Sequence, residues 1–143
     1  MPEAPEVEVV RRGLAEGLTG RRFVSVSVGR ERVVRRTSRP VLIEGMTGAR
    51  VMDVDRRGKY LTLALDTGRA VMIHLRMSGQ VLLVDGADEA PAHTHVDALV
   101  DDGRRMLFVD PRTFGEVVVF DPGDVDRQIP ELARLGPDPL RDG

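Results

Sequence analysis

The sequence predicts a mainly β fold, an antiparallel two-layer β-sandwich of about eight strands with a long N-terminal helix and a short C-terminal helix. Near the N-terminus, apolar residues recur at steps of three and four, as on one face of a helix. From Phe23 to Val28 apolar and polar residues alternate instead, and short apolar runs then follow at regular intervals, as strands do. The 143 residues are enough for one domain with its own core.

Helices are expected at three places. The first spans about residues 5–18, and its apolar face consists of residues three and four apart: Val7, Val10, Leu14 and Leu18. A short helical turn is expected at Pro40–Met46. A further helix is expected at Val125–Leu135, interrupted or restarted at Pro130, because proline removes a helical hydrogen bond.

Eight segments have the composition of strands: Phe23–Val28, Ala49–Val54, Tyr60–Leu65, Ala70–Leu75, Gln80–Val84, Val96–Val100, Met106–Val109 and Glu116–Phe120. Asp66-Thr67-Gly68 and Asp101-Asp102-Gly103 are turn sequences typical of hairpins. Residues 1–135 are therefore predicted to form one domain. Residues 136–143 are rich in glycine and proline and are expected to begin a linker, so the chain is expected to be part of a longer protein.

Composition excludes several classes of protein. No apolar run approaches the ~20 residues of a membrane span, and the N-terminus lacks a signal-peptide core, so a cytoplasmic protein is expected. The chain has no cysteine, which excludes disulfides and thiolate zinc sites. With three histidines, His74, His93 and His95, a histidine metal site is not expected either. Nothing in the sequence indicates more than a monomer.

The net charge of −2 is unevenly distributed. Residues 1–60 contain 13 Arg and Lys against 8 Asp and Glu, which is +5, and residues 61–143 contain 8 against 15, which is −7. The basic half has the charge to face phosphates, although an arginine-rich solvated surface has the same signature.

The N-terminus is the most informative segment. Proline after Met1 permits removal of that methionine, which would leave Pro2 as a free secondary amine. An α-amino group titrates near about 7.7–8.0, so a useful fraction is unprotonated and can attack an electrophilic carbon. Glu3 and Glu6 lie beside it. An ordinary helix start explains the same residues, because Pro5 suits a first turn and acids favour a helix N-terminus.

Three internal segments carry further polar or exposed candidates. Arg56-Arg57-Gly58-Lys59-Tyr60-Leu61 places a point charge at a strand start, suited to a phosphate oxygen. His74-Leu75-Arg76-Met77-Ser78-Gly79 contains a flexible apolar side chain that fills irregular gaps, or that simply belongs to the core. Asp110-Pro111-Arg112-Thr113-Phe114-Gly115 places a donor fork beside an aromatic ring, suited to a base edge and a base stack, unless Phe114 packs inside the sandwich.

Together these segments resemble the bacterial formamidopyrimidine-DNA glycosylase family. The N-terminus is similar to its Pro-Glu-Leu-Pro-Glu-Val-Glu, with Ala4 as the departure. The internal segments resemble Arg-Arg-Gly-Lys-Tyr-Leu, His-Leu-Gly-Met-Ser-Gly and Asp-Pro-Arg-Arg-Phe-Gly, with Arg76 and Thr113 as departures. Ala92-His93-Thr94-His95-Val96-Asp97 resembles Lys-His-Asp-His-Val-Asp. The resemblance covers residues 1 to about 140 and matches the N-terminal domain of that family.

The resemblance implies a bifunctional DNA glycosylase and AP lyase that removes oxidised purines from damaged double-stranded DNA. It implies that Pro2 is the nucleophile, that Glu3 transfers a proton, that Glu6 places the reacting groups and that Lys59 neutralises a phosphate. Met77 and Phe114 would fill the space left by an extruded base and Arg112 would pair with the estranged cytosine. The remaining candidate, His93, would contact the DNA backbone.

The family's helix-two-turn-helix and four-cysteine zinc finger are not expected in this chain, so no cofactor is expected here and zinc is expected only in that missing domain. Because phosphate contacts dominate DNA affinity, we expect this chain alone to bind and react weakly. Two alternatives stay open: an endonuclease VIII-like enzyme for oxidised pyrimidines, and a noncatalytic domain that binds damaged DNA. The presence of both the Met77 and Phe114 segments favours the purine enzyme.

Overall fold

The computed structural model describes residues 3–29 and 31–135. They form two four-stranded antiparallel sheets with helices around them, which confirms the predicted fold class. The strands are β1 (Phe23–Val28), β2 (Val51–Arg57), β3 (Tyr60–Leu65), β4 (Ala70–His74), β5 (Gln80–Asp85), β6 (Thr94–Val100), β7 (Arg104–Val109) and β8 (Glu116–Phe120). The α-helices are α1 (Ala4–Leu18), α2 (Arg39–Met46), α3 (Val125–Gln128) and α4 (Pro130–Ala133).

The first sheet has the strand order β1-β6-β7-β5 and the second has the order β2-β3-β4-β8. In the second sheet, Tyr60 at the start of β3 pairs with His74 at the end of β4, and His74 pairs with Glu116 at the start of β8. The turn before β3, the loop after β4 and the loop before β8 therefore meet at one end of this sheet. These are the three internal segments that the sequence singled out.

The main core lies between the two sheets, with α1 and α2 packed against it. A second apolar cluster lies on the other face of the second sheet, where α3 and α4 cover it: Ala70, Met72, Val118, Phe120, Ile129 and Leu132. All five residues of β4 and of β8 are buried, so these strands are covered on both faces. That is why their sequences are nearly continuous apolar runs instead of alternating ones.

Several boundaries differ from the predicted ones by one to three residues. β2 continues to Arg57, so that Gly58-Lys59 is a two-residue connection to β3. The predicted interruption of the C-terminal helix is confirmed: two short helices are separated at Ile129, because Pro130 cannot continue the first of them. Two 3-10 helices, Glu31–Val34 and Pro122–Asp124, have no periodic signal and were not expected. The predicted linker at 136–143 lies outside the described residues.

In the part of the chain that the structure describes, no helix combines the length and apolar character needed to cross a membrane.

Candidate active site and nucleic-acid interface

Two of the four predicted catalytic residues meet at the lysine turn. Glu3 caps the N-terminus of α1 and its carbonyl accepts a hydrogen bond from the Val7 amide at 3.0 Å. Its exposed carboxylate Oε2 lies 3.3 Å from Nζ of Lys59, whose side chain is one-third exposed. The arrangement holds a cation beside the start of the chain. Pro2, the predicted nucleophile, lies outside the described residues.

Glu6, the fourth predicted catalytic residue, is exposed on the first turn of α1. Within residues 3–29 and 31–135 it has no ion pair or side-chain hydrogen bond. The structure therefore brings Glu3 and Lys59 together and leaves Glu6 pointing to solvent nearby.

A buried ionic cluster under the lysine turn was missed by the sequence reasoning. Glu8 is 5% exposed and receives hydrogen bonds from Nε and Nη2 of Arg11 at 2.9 and 2.8 Å and from Nε of Arg56 at 2.9 Å. Arg56 also donates from Nη1 to the carbonyl of Gly58 at 2.7 Å. Because Gly58 has a φ of +58°, it turns the chain directly before Lys59. The cluster thus ties α1 to the turn that carries the lysine.

Hydrogen bonds from Arg11, and secondarily from Arg56 and Arg12, lower the pKa of Glu8 from 4.5 to about 2, against the opposing effect of burial. The carboxylate is therefore ionised throughout the physiological range. A buried charge of this kind is stable only when it is paired and fully hydrogen-bonded, as it is here.

The expected DNA-contacting residues protrude at the same end of the second sheet. Met77, Arg112 and Phe114, which we call the apical triad, are all exposed, with 50% and 43% exposure for Met77 and Phe114. Phe114 is therefore not packed into the sandwich, and Met77 is not a core residue. An open groove of about 530 Å³ lies between them, lined by Arg35, His74, Arg76, Met77 and Phe114. Large apolar side chains exposed beside arginines are typical of a surface that contacts a partner.

Asp110 organises the loops of the apical triad. It is fully buried and accepts from the Ser78 hydroxyl at 2.5 Å, from the Arg112 amide at 3.1 Å and from the Gly115 amide at 2.8 Å. Burial alone would raise its pKa, but these hydrogen bonds hold the pKa of Asp110 below its ordinary value. One carboxylate therefore fixes the segment that follows β4 and the segment that precedes β8.

Two residues of these loops that depart from the family pattern have unusual backbone geometry. Arg76 and Thr113 both have positive φ, 53° and 55°. A non-glycine residue in this region is uncommon and costs free energy. Gly115, in contrast, is required by packing, because an added Cβ would lie 2.6 Å from the Phe108 ring and 2.9 Å from the carbonyl oxygen of His74.

His93 is exposed beside the apical triad and has a φ of +66°, while its carbonyl accepts from the Asp110 amide at 3.0 Å. His95 is buried and donates from Nε2 to the Asp110 carbonyl at 2.7 Å. One histidine is therefore exposed to solvent and the other is part of the buried loop support. Among the described residues, no group of three or more acidic or histidine side chains is placed to hold a metal ion. With no cysteine in the sequence, these residues do not fit a zinc centre.

Lys59 is the only lysine in the chain, against twenty arginines. Arginine is always protonated, whereas lysine combines a positive charge with an amine that can form covalent imines. The sequence therefore leaves two primary or secondary amines in the whole chain: the N-terminus and Lys59.

The comparisons with known proteins identify a family. The family model described as the formamidopyrimidine-DNA glycosylase N-terminal domain matches residues 1–117. The formamidopyrimidine-DNA glycosylases of Mycolicibacterium smegmatis and Salinispora arenicola are 46% and 47% identical over 99% and 98% of this chain. The chain spans about half the length of the curated relatives it matches, 52% and 49% of these two.

Solved structures give the same result. The structure of Lactococcus lactis Fpg with DNA containing an abasic site is similar, with a TM-score of 0.81 and 29% identity over 87% of this chain and 46% of that chain. A mutant of the same protein with Fapy-dG containing DNA has a TM-score of 0.81 and 30% identity over 87% and 45% of the two chains. The chain belongs to the formamidopyrimidine-DNA glycosylase family and corresponds to its N-terminal domain.

Proposed function

We propose that this chain is the catalytic domain of a bifunctional DNA glycosylase and AP lyase that removes oxidised purines, 8-oxoguanine and formamidopyrimidines, from double-stranded DNA. The observation that carries the proposal is the ion pair of Glu3 and Lys59 beside the start of the chain, at the sheet end that also bears the apical triad. A relative solved with Fapy-dG containing DNA supports this substrate class. We propose further that the chain acts as a monomer in the bacterial cytosol and uses no cofactor of its own.

The apical triad would serve base extrusion. An enzyme that acts on a base inside a duplex must first flip that nucleotide out of the stack, which costs a few kcal/mol. Met77 and Phe114 are exposed apolar side chains that would occupy the vacated space and separate the base steps. Arg112 presents a planar donor fork that would pair with the estranged cytosine, and His93 would contact a phosphate.

The chemistry would begin at Pro2 once Met1 has been removed. The lone pair of the Pro2 nitrogen forms a bond to C1′ of the deoxyribose, and the bond from C1′ to the base breaks, with its electron pair leaving on the base. The nitrogen would give its proton to the Glu3 carboxylate, the bond from C1′ to the ring oxygen breaks, and an iminium remains. Glu3 would donate the proton that the ring oxygen takes up. Glu6 would help to place Pro2, and Lys59 would neutralise a neighbouring phosphate.

Strand cleavage would follow from the iminium. The cation acidifies C2′, so loss of a proton there expels the 3′ phosphate, and a second elimination expels the 5′ phosphate. Because the chain spans about half of its relatives, we propose that it binds DNA weakly and turns over slowly by itself. Phosphate neutralisation supplies most of the affinity for duplex DNA, and this chain has a net charge of −2.

The test is a borohydride trapping assay at low salt, with duplexes containing 8-oxoguanine opposite cytosine, an oxidised pyrimidine, or no lesion. Reduction of the iminium would leave a stable cross-link with the 8-oxoguanine duplex. A cross-link with the oxidised pyrimidine alone would support the endonuclease VIII-like alternative. Binding to damaged DNA without any cross-link, from a chain whose intact mass shows removal of Met1, would support a noncatalytic binding domain.

A further inference from the structure

The guanidinium of Arg35 lies over the loop that carries two members of the apical triad. Its Nη2 lies 3.3, 3.0 and 3.1 Å from the carbonyl oxygens of Thr113, Phe114 and Gly115. These are three consecutive carbonyls from a segment about eighty residues away in sequence. A single cation therefore binds three consecutive carbonyls of this loop.

The loop has physical reasons to need such a partner. Thr113 is held at a φ of +55°, which a β-branched residue rarely adopts. Three carbonyl dipoles that converge on one point repel each other, and a shared cationic donor relieves that repulsion. Asp110 satisfies amides of this loop but offers nothing to its carbonyls. Arg35 supplies the missing donor and a compensating charge.

Arg35 also lies close to a buried carboxylate. The Glu116 carboxylate, 1% exposed, lies 4.0 Å from Nη1 of Arg35 and accepts from Nε of Arg36 at 2.8 Å. Arg36 in turn forms an ion pair with Glu131 on α4. The two adjacent arginines thus share one buried carboxylate, and one of them faces the loop while the other faces α4.

We propose that Arg35 is a positioning residue that fixes Arg112 and Phe114 in the orientation needed to enter the duplex. This rests on the proposed function, since it assigns Arg35 a part in lesion recognition and none in the chemistry at C1′. A loop that is already ordered before DNA binds does not lose conformational entropy on binding, so affinity increases. Loss of the hydrogen bonds from Arg35 therefore weakens discrimination of the base opposite the lesion, because that discrimination depends on the orientation of the Arg112 side chain.

The first arm of the test needs no DNA. Amide hydrogen exchange is measured for the protein, for Arg35→Met and for Arg32→Met, a control that removes one charge from the same segment. Arg32 has no hydrogen bond to the loop among the described residues. We expect the amides of Thr113 and Gly115 to exchange at least about tenfold faster in Arg35→Met, with β4 amides unchanged as an internal reference. Unchanged exchange at the loop would overturn the proposal.

The second arm compares binding to duplexes that contain a tetrahydrofuran abasic analogue opposite cytosine or adenine. We expect Arg35→Met to reduce the preference for cytosine by about tenfold, while Arg32→Met keeps it. Arg35→Lys, which keeps the charge and is expected to fold even if Arg35→Met does not, should restore the preference in part. If Arg35→Met prefers cytosine over adenine opposite the abasic analogue as strongly as the unaltered protein does, the proposal is overturned. Failure of the unaltered protein to prefer either abasic duplex to an undamaged duplex of the same sequence would overturn the proposed function instead. The exchange arm would still decide whether Arg35 orders the loop.

Discussion

The rings of Tyr60 and His74 stack with centroids 4.1 Å apart and an angle of 27° between their planes. The two residues face each other across β3 and β4, directly after Lys59 and directly before the loop of Met77. The stacked pair therefore lies between the lysine turn and the groove beside Met77 and Phe114. It joins the two parts of the site through a regular sheet, so their separation is set by strand register.

His74 is expected to stay neutral in the folded protein. Burial, with Arg76 as a secondary cause, lowers its pKa from 6.5 to about 4. Because the folded pKa is the lower one, the stability linked to this ring is complete above pH 6.5 and is lost as the pH falls through about 4. An NMR titration of the His74 ring protons should give a midpoint near 4. A midpoint near 6.5 would contradict the buried environment.

Glu8→Gln should destabilise the fold strongly. The change removes the carboxylate that pairs with Arg11 and Arg56, and breaking a buried ion pair costs about 3–5 kcal/mol in the free energy of unfolding. The exposed Glu16, on the same helix, is the control, and Glu16→Gln should change stability by less than about 0.5 kcal/mol. Urea unfolding measures both variants. A small loss in Glu8→Gln would mean that the cluster does not hold α1 to the lysine turn.

The pH dependence of stability should report the same carboxylate. Since the pKa of Glu8 is lower in the fold, about 2 against 4.5, its contribution is present above pH 4.5 and disappears as the pH falls through about 2. The drop in stability between these pH values should be smaller in Glu8→Gln than in the unaltered protein. If the free energy of unfolding falls equally steeply with pH in both proteins, Glu8 is not the titrating group.

Met77→Ala should affect DNA binding and leave stability almost unchanged. Met77 is half exposed, so truncation removes little buried surface, and surface changes are usually within about 0.5 kcal/mol. Met52 is 55% exposed on β2, away from the groove, and makes Met52→Ala a matched control. In a titration with abasic-site DNA, we expect weaker binding by Met77→Ala alone. Equal affinities for the two variants would remove Met77 from the interface.

Glu3→Gln should slow formation of the iminium and retain DNA binding. A positioned acid or base contributes about 10²- to 10⁴-fold to a rate, and glutamine keeps the shape of the side chain without its proton. Glu16→Gln again serves as the control for charge on α1. The rate of borohydride-trapped adduct formation with 8-oxoguanine DNA, under single-turnover conditions, measures the effect. A rate within roughly threefold of the control would exclude Glu3 from proton transfer.

Local signals in the sequence were sufficient for much of this structure. Alternation in Phe23–Val28 and the turn glycines Gly68 and Gly103, both at positive φ, predicted the strands and hairpins that occur. These features depend on neighbours a few residues away, which a sequence pattern records.

The parts that escaped prediction depend on distant partners. Glu8 binds Arg56, which lies 48 residues further along, and no local pattern pairs the two residues. Arg35 carried no signal at all, because its partners are the carbonyls of Thr113, Phe114 and Gly115. Backbone carbonyls have no side-chain identity, so no pattern of residue types reveals such a contact.

The identity of the attacking amine is the claim that most of this account depends on. Because Lys59 is the only lysine, a cross-link trapped with 8-oxoguanine DNA and borohydride must lie either on the N-terminus or on Lys59. Peptide mapping by mass spectrometry, with Lys59→Arg beside the unaltered protein, decides between them. We predict an adduct on Pro2 in both proteins and none when an extra residue precedes Pro2. An adduct on Lys59, or one that survives the blocked N-terminus, would contradict the account.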